Sequence, residues 1–170
     1  PFLLLATQNP VELEGTFPLP EAQLDRFLLR VSLGYPTQEE EKSILERFSQ
    51  EDPLESLQPV STAEEILAAQ KERRTIRIED SIRDYIVRVI RSTRQNPDIE
   101  LGASPRAALA LYQASQAWAA IQGRDYVLPD DVKFLAPQVI CHRLIISAQA
   151  QLRGRTVSEL VDDIVSSVEV

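Results

Sequence analysis

Asn9 follows a short apolar run at the start of the chain, in the segment LLLATQNPVE. A side-chain amide both donates and accepts hydrogen bonds, so it can hold a water molecule against a phosphate group. In α/β sheets, ligands bind beyond the carboxyl ends of the strands, and Asn9 would stand at such an end. The alternative is an ordinary strand-to-turn junction, because Asn-Pro favours turns.

Arg26 is the second candidate, in the segment PLPEAQLDRF of residues 18–27. Pro20 can open a short helix there, and Arg26 follows Asp25 directly. An arginine at the rim of a domain can reach a neighbouring site and neutralise charge on a transferring phosphoryl group. The alternative is a surface arginine in an ion pair, which contributes only about 0–1 kcal/mol.

Arg106 is the third candidate, because it falls in the first turn of a predicted helix that Ser104 caps and Pro105 begins. A cation is unfavourable there, since a helix N-terminus already carries about half a positive charge. An anion that binds the free backbone N–H groups would explain the position, as helix N-termini bind phosphates. Otherwise, Arg106 extends into solvent or pairs with an acidic neighbour.

Other reactive side chains favour structural roles. Cys141 and His142 are the only cysteine and the only histidine. Neighbouring helical residues project about 100° apart, and no second residue of either type completes a zinc site, so we predict no metal ligands. Basic residues recur from 71 to 94 and predict a solvated face, with a contact surface for an acidic partner or an adjacent subunit as the alternative. They are Lys71, Arg73, Arg74, Arg77, Arg83, Arg88, Arg91 and Arg94.

Composition narrows the class of protein. The net charge of −8 disfavours sequence-independent nucleic-acid binding. A helix-turn-helix DNA binder is also disfavoured, because the sequence contains no basic recognition helix with base-reading residues. The sequence shows no secretory signal and no apolar run of about 20 residues, so we predict a cytoplasmic protein without a membrane span. Because the 170 residues contain no methionine, we expect a piece of a longer protein.

The apolar pattern changes near residue 36. Residues 1–6 and 27–33 predict strands, whereas the later segments predict helices with capping boxes at Thr37–Glu40 and Thr62–Glu65. Further helices are predicted over 79–94, from Ser104 to Gly123, from Pro129 onward and over 157–166. Two strands cannot form a sheet alone, so we expect open strand edges to pair between chains.

Three segments together are more specific than any one of them. PFLLLATQNPVELEGTFPLPEAQLDRFLLRVSLGYPTQEEE, followed by LGASPRAALAL and LPDDVKFLAPQVICHRL, resembles the MoxR family of AAA+ ATPases, which is related to the magnesium-chelatase ATPase subunit. The resemblance implies a mainly α fold class. Residues 1–35 would be the last strands and loops of a truncated α/β P-loop NTPase core, and residues 36–170 the helical lid.

The resemblance also implies residue roles. Asn9 would be the sensor-1 residue that orients the attacking water, Arg26 the arginine finger for the next subunit, and Arg106 the sensor-2 arginine. ATP and Mg²⁺ would be cofactors of the full-length protein. Because the 170 residues contain neither a GxxxxGK[ST] loop nor a strand ending in Asp-Glu, we expect this chain alone to hold no cofactor and to hydrolyse no ATP.

The resemblance implies a hexameric ring that uses ATP for chaperone-like remodelling of client proteins, or for inserting metal cofactors into them. The resemblance also suggests that a von Willebrand-type domain protein would be one such partner. The competing hypothesis is a non-catalytic, acidic helical module for protein–protein interaction.

Overall fold

The computed structural model describes residues 2–8, 19–49 and 52–170, and these ranges are mainly helical. The predicted fold class is therefore confirmed. The helices of the described part are α1 Glu21–Leu24, α2 Gln38–Phe48, α3 Ala63–Glu72, α4 Asp80–Gln95, α5 Pro105–Ile121, α6 Pro129–Ile140, α7 Ala148–Leu152 and α8 Val157–Ser167. The strands are β1 Ile99–Leu101 and β2 Ile145–Ile146, and 3₁₀ turns occupy Arg73–Thr75 and Cys141–Arg143.

The core lies among α4, α5, α6 and α8. Helix α4 buries an apolar stripe that repeats every three or four residues, as the sequence predicts. The members of this stripe are Ile82, Tyr85, Ile86, Val89 and Ile90. The Tyr85 hydroxyl donates a hydrogen bond of 2.9 Å to the Val165 carbonyl, so α4 is also bonded to α8.

Local sequence signals explain where the helices begin. Both predicted capping boxes are confirmed, at Thr37–Glu40 and Thr62–Glu65. Helix α6 begins differently, because Leu128 at its N-cap has no polar side chain. The Asp131 carboxylate instead accepts the Leu128 N–H at 2.8 Å and binds Arg124 at 2.8 and 2.6 Å, which fixes the start of the helix.

The two short strands pair antiparallel, with Ile99 opposite Ile146 and Leu101 opposite Ile145. The sequence predicts a loop over 96–102, because a three-residue strand has no period long enough to detect. Helix α7 is missed for the same reason. The strand pair joins the segment before α5 to the segment after the 3₁₀ turn Cys141–Arg143.

The two strands predicted over 1–6 and 27–33 are wrong within the described residues. Residues 2–8 and 27–33 form no strand, and the side chains of residues 2–5 are 60 to 90% exposed. A strand needs a neighbour to pair with its backbone N–H and C=O groups, and none of the described segments lies beside these residues as a strand. Arg30 N–H instead donates to the Gln138 carbonyl at 2.8 Å, so this segment docks on α6.

None of the helices in the described ranges is both long enough and apolar enough to cross a lipid bilayer.

Candidate functional site

Asp25, at the end of α1, joins three segments that are distant in the sequence. Its carboxylate accepts hydrogen bonds from Ser104 Oγ, at 2.9 and 3.0 Å, and from Arg143 Nη1 at 3.0 Å. Arg106 Nη1 lies 3.5 Å from the same carboxylate. The end of α1 is therefore bonded both to the start of α5 and to the 3₁₀ turn that follows α6.

Arg143 is the buried member of this cluster, with a side chain only 1% exposed. Its Nε donates to the Val139 carbonyl at 2.8 Å, and Nη1 and Nη2 donate to the carbonyls of Asp25 and Phe27 at 2.8 and 2.5 Å. Burial lowers the pKa of Arg143, while the Asp25 carboxylate opposes that shift. The guanidinium therefore has polar partners on every side in an otherwise apolar setting.

His142 contacts the same carbonyl, with its Nε2 3.2 Å from the Phe27 oxygen. Because that oxygen can only accept, Nε2 carries the proton of the neutral ring. Burial is the main cause that lowers the pKa of His142. Burial also raises the pKa of the neighbouring Cys141 thiol to about 11, so the reactive thiolate is scarce at neutral pH. The structural roles predicted for both residues agree with these surroundings.

Arg26 lies in the turn directly after α1, next to Asp25. Its backbone N–H donates to the Gln23 carbonyl at 3.1 Å, so the turn is closed, and the residue is exposed. Across the described residues, its guanidinium takes part in no ion pair and no side-chain hydrogen bond. Arg26 is therefore an exposed cation, and the residues on either side of it, Asp25 and Phe27, are held by hydrogen bonds.

Arg106 is the second residue of α5. Its N–H donates to Ser104 Oγ at 3.2 Å, and Pro105 occupies the first helical position, as predicted. Its side chain is 54% exposed, and the 3.5 Å contact with Asp25 is its only ion pair with the part of the chain that the structure describes. Such a long, exposed contact contributes little energy, so Arg106 is available to a stronger anion.

The loop before α5 is fixed against α4. Arg94 Nε donates to the Ala103 carbonyl at 2.7 Å, and the Ala103 N–H donates to Thr93 Oγ1 at 3.0 Å. A Cβ atom at Gly102 would lie 2.7 Å from Arg94 Cγ and 2.8 Å from Arg94 Cα. Only glycine permits this close approach. The approach holds the loop that leads into α5, the helix that carries Arg106.

The structure brings two of the three predicted site residues close to one carboxylate. Arg106 contacts Asp25, and Arg26 is the next residue after Asp25. Asn9 lies outside the described residues. Arg143 is not among the site residues that the sequence predicts, although an arginine inside the apolar run APQVICHRLII should require a buried partner.

The other basic residues between 71 and 94 do not form part of this cluster. All except Arg73 are exposed, in agreement with the solvated face that the sequence predicts. Arg73 donates to the Gln116 side chain at 2.9 Å. In the described residues, no group of three or more His, Cys, Asp or Glu side chains is arranged to hold a metal ion.

Family models match two parts of the chain. Residues 91–164 match the AAA lid domain, which contains Ser104, Arg106 and Arg143. Residues 1–29 match the model described as ATPase family associated with various cellular activities (AAA), which contains Asp25 and Arg26. The hydrogen bonds of Asp25 therefore connect the two matched regions.

Several proteins are similar over most of the chain. The protein YeaC of Bacillus subtilis, described as uncharacterized, is 46% identical over all of this chain and 53% of its own length. The chaperone MoxR1 of Mycobacterium tuberculosis is 41% identical over 88% of this chain and 42% of its own length. The protein MoxR of Methylorubrum extorquens is 29% identical over 97% of this chain and 53% of its own length. The chain spans about half the length of these relatives.

A crystal structure gives the same result in three dimensions. A candidate ATPase from Cytophaga hutchinsonii superposes with a TM-score of 0.90 and is 35% identical, over 99% of this chain and 54% of that one. The resemblance first indicated by ATQNP, EAQLDRF and GASPRA is thus confirmed over the whole length of the chain. On these grounds, the chain belongs to the MoxR family of AAA+ ATPases.

Proposed function

We propose that this chain supplies the nucleotide-sensing and lid part of an ATP-hydrolysing AAA+ protein. Residues 1–35 would be the end of the α/β core, and residues 36–170 the helical lid. The observation that carries the proposal is the Asp25 carboxylate, which accepts from Ser104 and Arg143 and contacts Arg106. The hydrogen bonds of this cluster hold the segments that carry two exposed arginines, Arg26 in one matched region and Arg106 in the other.

Arg106 is the proposed phosphate contact within its own subunit, as sensor 2. Its side chain is half exposed and its Asp25 contact is long, so a phosphate oxygen can displace that contact at small cost. The first backbone N–H groups of α5 and the positive end of its dipole also favour an anion there. These residues fit a nucleotide phosphate, and ATP with Mg²⁺ would supply the phosphoryl group to be transferred.

Arg26 is the proposed arginine finger for the neighbouring subunit. It is exposed, and the turn that carries it is bonded to the lid through Asp25. A guanidinium held in this way can stabilise charge that develops on a transferring phosphoryl group without reorganising at the moment of reaction. Asn9 remains our proposal for the sensor-1 residue that orients the attacking water.

The phosphate-cradling loop and the Mg²⁺-binding carboxylates would come from a segment outside these 170 residues. The relatives, which are about twice as long, support this proposal. One relative is described as a chaperone. We propose that a ring of subunits, hexameric and cytoplasmic, uses ATP to remodel client proteins or to insert metal cofactors into them, with a von Willebrand-type protein as one partner.

The test is ATP hydrolysis by the full-length protein that contains this chain. Arg26→Ala should lower kcat by about 10³-fold or more and leave nucleotide binding nearly unchanged, because a finger acts on the transition state. Arg106→Ala should weaken nucleotide binding directly. Arg153→Ala is the matched control, since Arg153 pairs with Asp98 and contacts none of the cluster residues. A normal kcat in the Arg26 variant would refute the finger assignment.

The competing function, a non-catalytic interaction module, is favoured by one observation. Helix α2 exposes three large apolar side chains, Ile44 at 44%, Leu45 at 72% and Phe48 at 65%, and buries none. A helix with such a face can bind a partner protein. If the full-length protein neither binds nor hydrolyses ATP, this function replaces the first.

A further inference from the structure

The Arg143 side chain bonds the backbone on both sides of Arg26. Nη1 donates to the Asp25 carbonyl at 2.8 Å, and Nη2 donates to the Phe27 carbonyl at 2.5 Å. Nη2 also lies 3.3 Å from the Leu28 carbonyl. The backbone just before and just after Arg26 is therefore held by one buried guanidinium from the lid.

We infer that Arg143 is a positioning residue for Arg26, which sets the direction of the finger from the lid of the same subunit. This inference rests on the proposed function of Arg26. Arg143 would touch neither nucleotide nor client protein, because its side chain is 1% exposed and its donors are taken by Asp25, Phe27 and Val139.

Helix α1 cannot perform this positioning by itself. It has only four residues, buries none of them, and lacks a side-chain cap at Pro20. Helices of that length are not stable alone, because nucleation costs more than one turn of hydrogen bonds returns. The orientation of Arg26 therefore depends on what α1 is bonded to, and Arg143 supplies the larger part of those bonds.

The bonds of the Asp25 carboxylate should allow Arg106 to move without changing the position of Arg26. If Arg106 leaves Asp25 to bind a phosphate, Asp25 keeps its bonds to Ser104 at 2.9 Å and to Arg143 at 3.0 Å. Arg26 then keeps its direction while the nucleotide is bound. Loss of Arg143 should consequently lower the rate of the chemical step and leave the nucleotide affinity nearly unchanged.

The first test uses the 170-residue chain and needs no activity. The amides of Asp25, Arg26 and Phe27 donate to the carbonyls of Glu21, Gln23 and Leu24, so their hydrogen exchange reports the turn. Arg143→Gln should accelerate their exchange by about tenfold or more, while amides of the α4 core keep their rates. Arg153→Gln is the matched control and should change nothing there. Unchanged exchange in a folded Arg143→Gln protein would overturn the inference.

A second variant covers the case in which Arg143→Gln does not fold. Asp25→Asn keeps every backbone acceptor, but it removes the negative charge and replaces one of the two acceptor oxygens that Ser104 and Arg143 contact with an NH2 group. It should accelerate exchange of the same three amides, by a smaller factor. Wild-type exchange rates in this variant would overturn the inference, because the buried Arg143 guanidinium loses its counter-charge there and should hold the Asp25 and Phe27 carbonyls less firmly.

The second test measures ATP hydrolysis in the full-length protein. Arg143→Gln should lower kcat by about tenfold or more with KM changed less than about twofold. The decisive comparison is the double variant Arg26→Ala/Arg143→Gln, which should be no slower than Arg26→Ala alone, because residues that act through one group are not additive. Additive losses would overturn the inference. If the wild type hydrolyses no ATP, the proposed function fails, whereas the exchange experiment still decides the role of Arg143 in holding the turn.

Discussion

Among individual residues, the neighbours Arg143 and His142 have the same structural role, which is to hold the backbone at Phe27. Both donate to the Phe27 carbonyl, Arg143 at 2.5 Å and His142 at 3.2 Å. The arginine keeps its charge because Asp25 lies 3.0 Å away, whereas the histidine has no carboxylate partner among the described residues. A half-buried ring without such a partner favours its neutral form.

The stability of the fold should therefore depend on the protonation of His142. Its pKa is lowered in the folded chain, chiefly by burial and against the bond to Phe27, so the unfolded chain takes up the proton first. This contribution is fully present above about pH 6.5, the pKa of a free histidine, and is lost as the pH falls through the folded pKa. The free energy of unfolding in urea should fall between about pH 7 and pH 5.

His142→Gln is the control, because His142 is the only histidine in the chain. The variant should lose most of the pH dependence in that window. The capping carboxylates Glu40, Glu65 and Glu159 have lowered pKa values, so their effect belongs to more acid conditions. An unchanged slope in the variant would show that His142 does not control it.

What the sequence could predict at this scale depended on the range of the interaction. Ser104 and Arg106 were identified because capping is a matter of adjacent residues. The bond from Asp25 to Arg143 spans 118 residues, so no local pattern records it. The charge inside the apolar run around Arg143 was a usable signal that some partner existed, but it did not indicate which one.

Among the elements, the start of α5 is placed by α4 rather than by its own sequence. Gly102 lies against the Arg94 backbone, and the next residue, Ala103, is bonded to α4 through both its N–H and its carbonyl. The capping residue Ser104 follows immediately. The contact between Gly102 and Arg94 therefore helps to place the start of α5, which carries Arg106.

Gly102→Ala should move this loop. The new Cβ would lie 2.7 Å from Arg94 Cγ, and it would meet Arg94 Cα and N at 2.8 and 2.9 Å. Backbone atoms cannot rotate away, so we expect a loss of about 1–3 kcal/mol in the free energy of unfolding. The Arg106 amide resonance should also shift, because its bond to Ser104 would change.

Gly154→Ala is a useful comparison for this variant. Gly154 has a positive φ of 75°, and a Cβ atom added there would have nothing within 4 Å, so its cost would come from backbone strain alone. That variant should lose stability without shifting the Arg106 amide. Equal amide shifts in both variants would contradict the role of Gly102.

The elements that the sequence predicted are those with strong local signals. Capping boxes located the starts of α2 and α3, and a periodic apolar stripe identified α4 within one residue at each end. Apolar content alone suggested strands over 1–6 and 27–33, but strands require partners that a sequence pattern does not supply. The short pair β1 and β2 was missed, since five residues in total show no alternation.

At the scale of the whole molecule, the apolar surface is concentrated outside the helical core. Phe2 is 90% exposed, Leu3 79% and Leu5 84%, and Leu33 near the segment that docks on α6 is 97% exposed. Scattered apolar residues are ordinary on a protein surface, whereas consecutive ones favour association. The strand edges expected to mediate association are not formed in residues 2–8, so apolar contact would initiate it.

The 170-residue chain should therefore self-associate. Light scattering should give a mass that rises above 19.1 kDa with concentration. The double variant Leu3→Glu/Leu5→Glu should remain closer to the monomer, because charges oppose apolar contact. Leu152→Glu is the control: this residue is 89% exposed but stands apart from the terminal run, and the variant should associate like the wild type. A wild-type monomer at high concentration would contradict the prediction.

The small ladder of β1 and β2 has a consequence for motion. Ser104 lies three positions after the last residue of β1, and Arg143 lies two positions before the first residue of β2. Two of the side chains that bind Asp25 therefore lie close in sequence to two strands that pair with each other. If the helical lid rotates, α1 should therefore rotate with it as one rigid body. The rotation would then move Arg26 relative to the neighbouring subunit that it is proposed to contact.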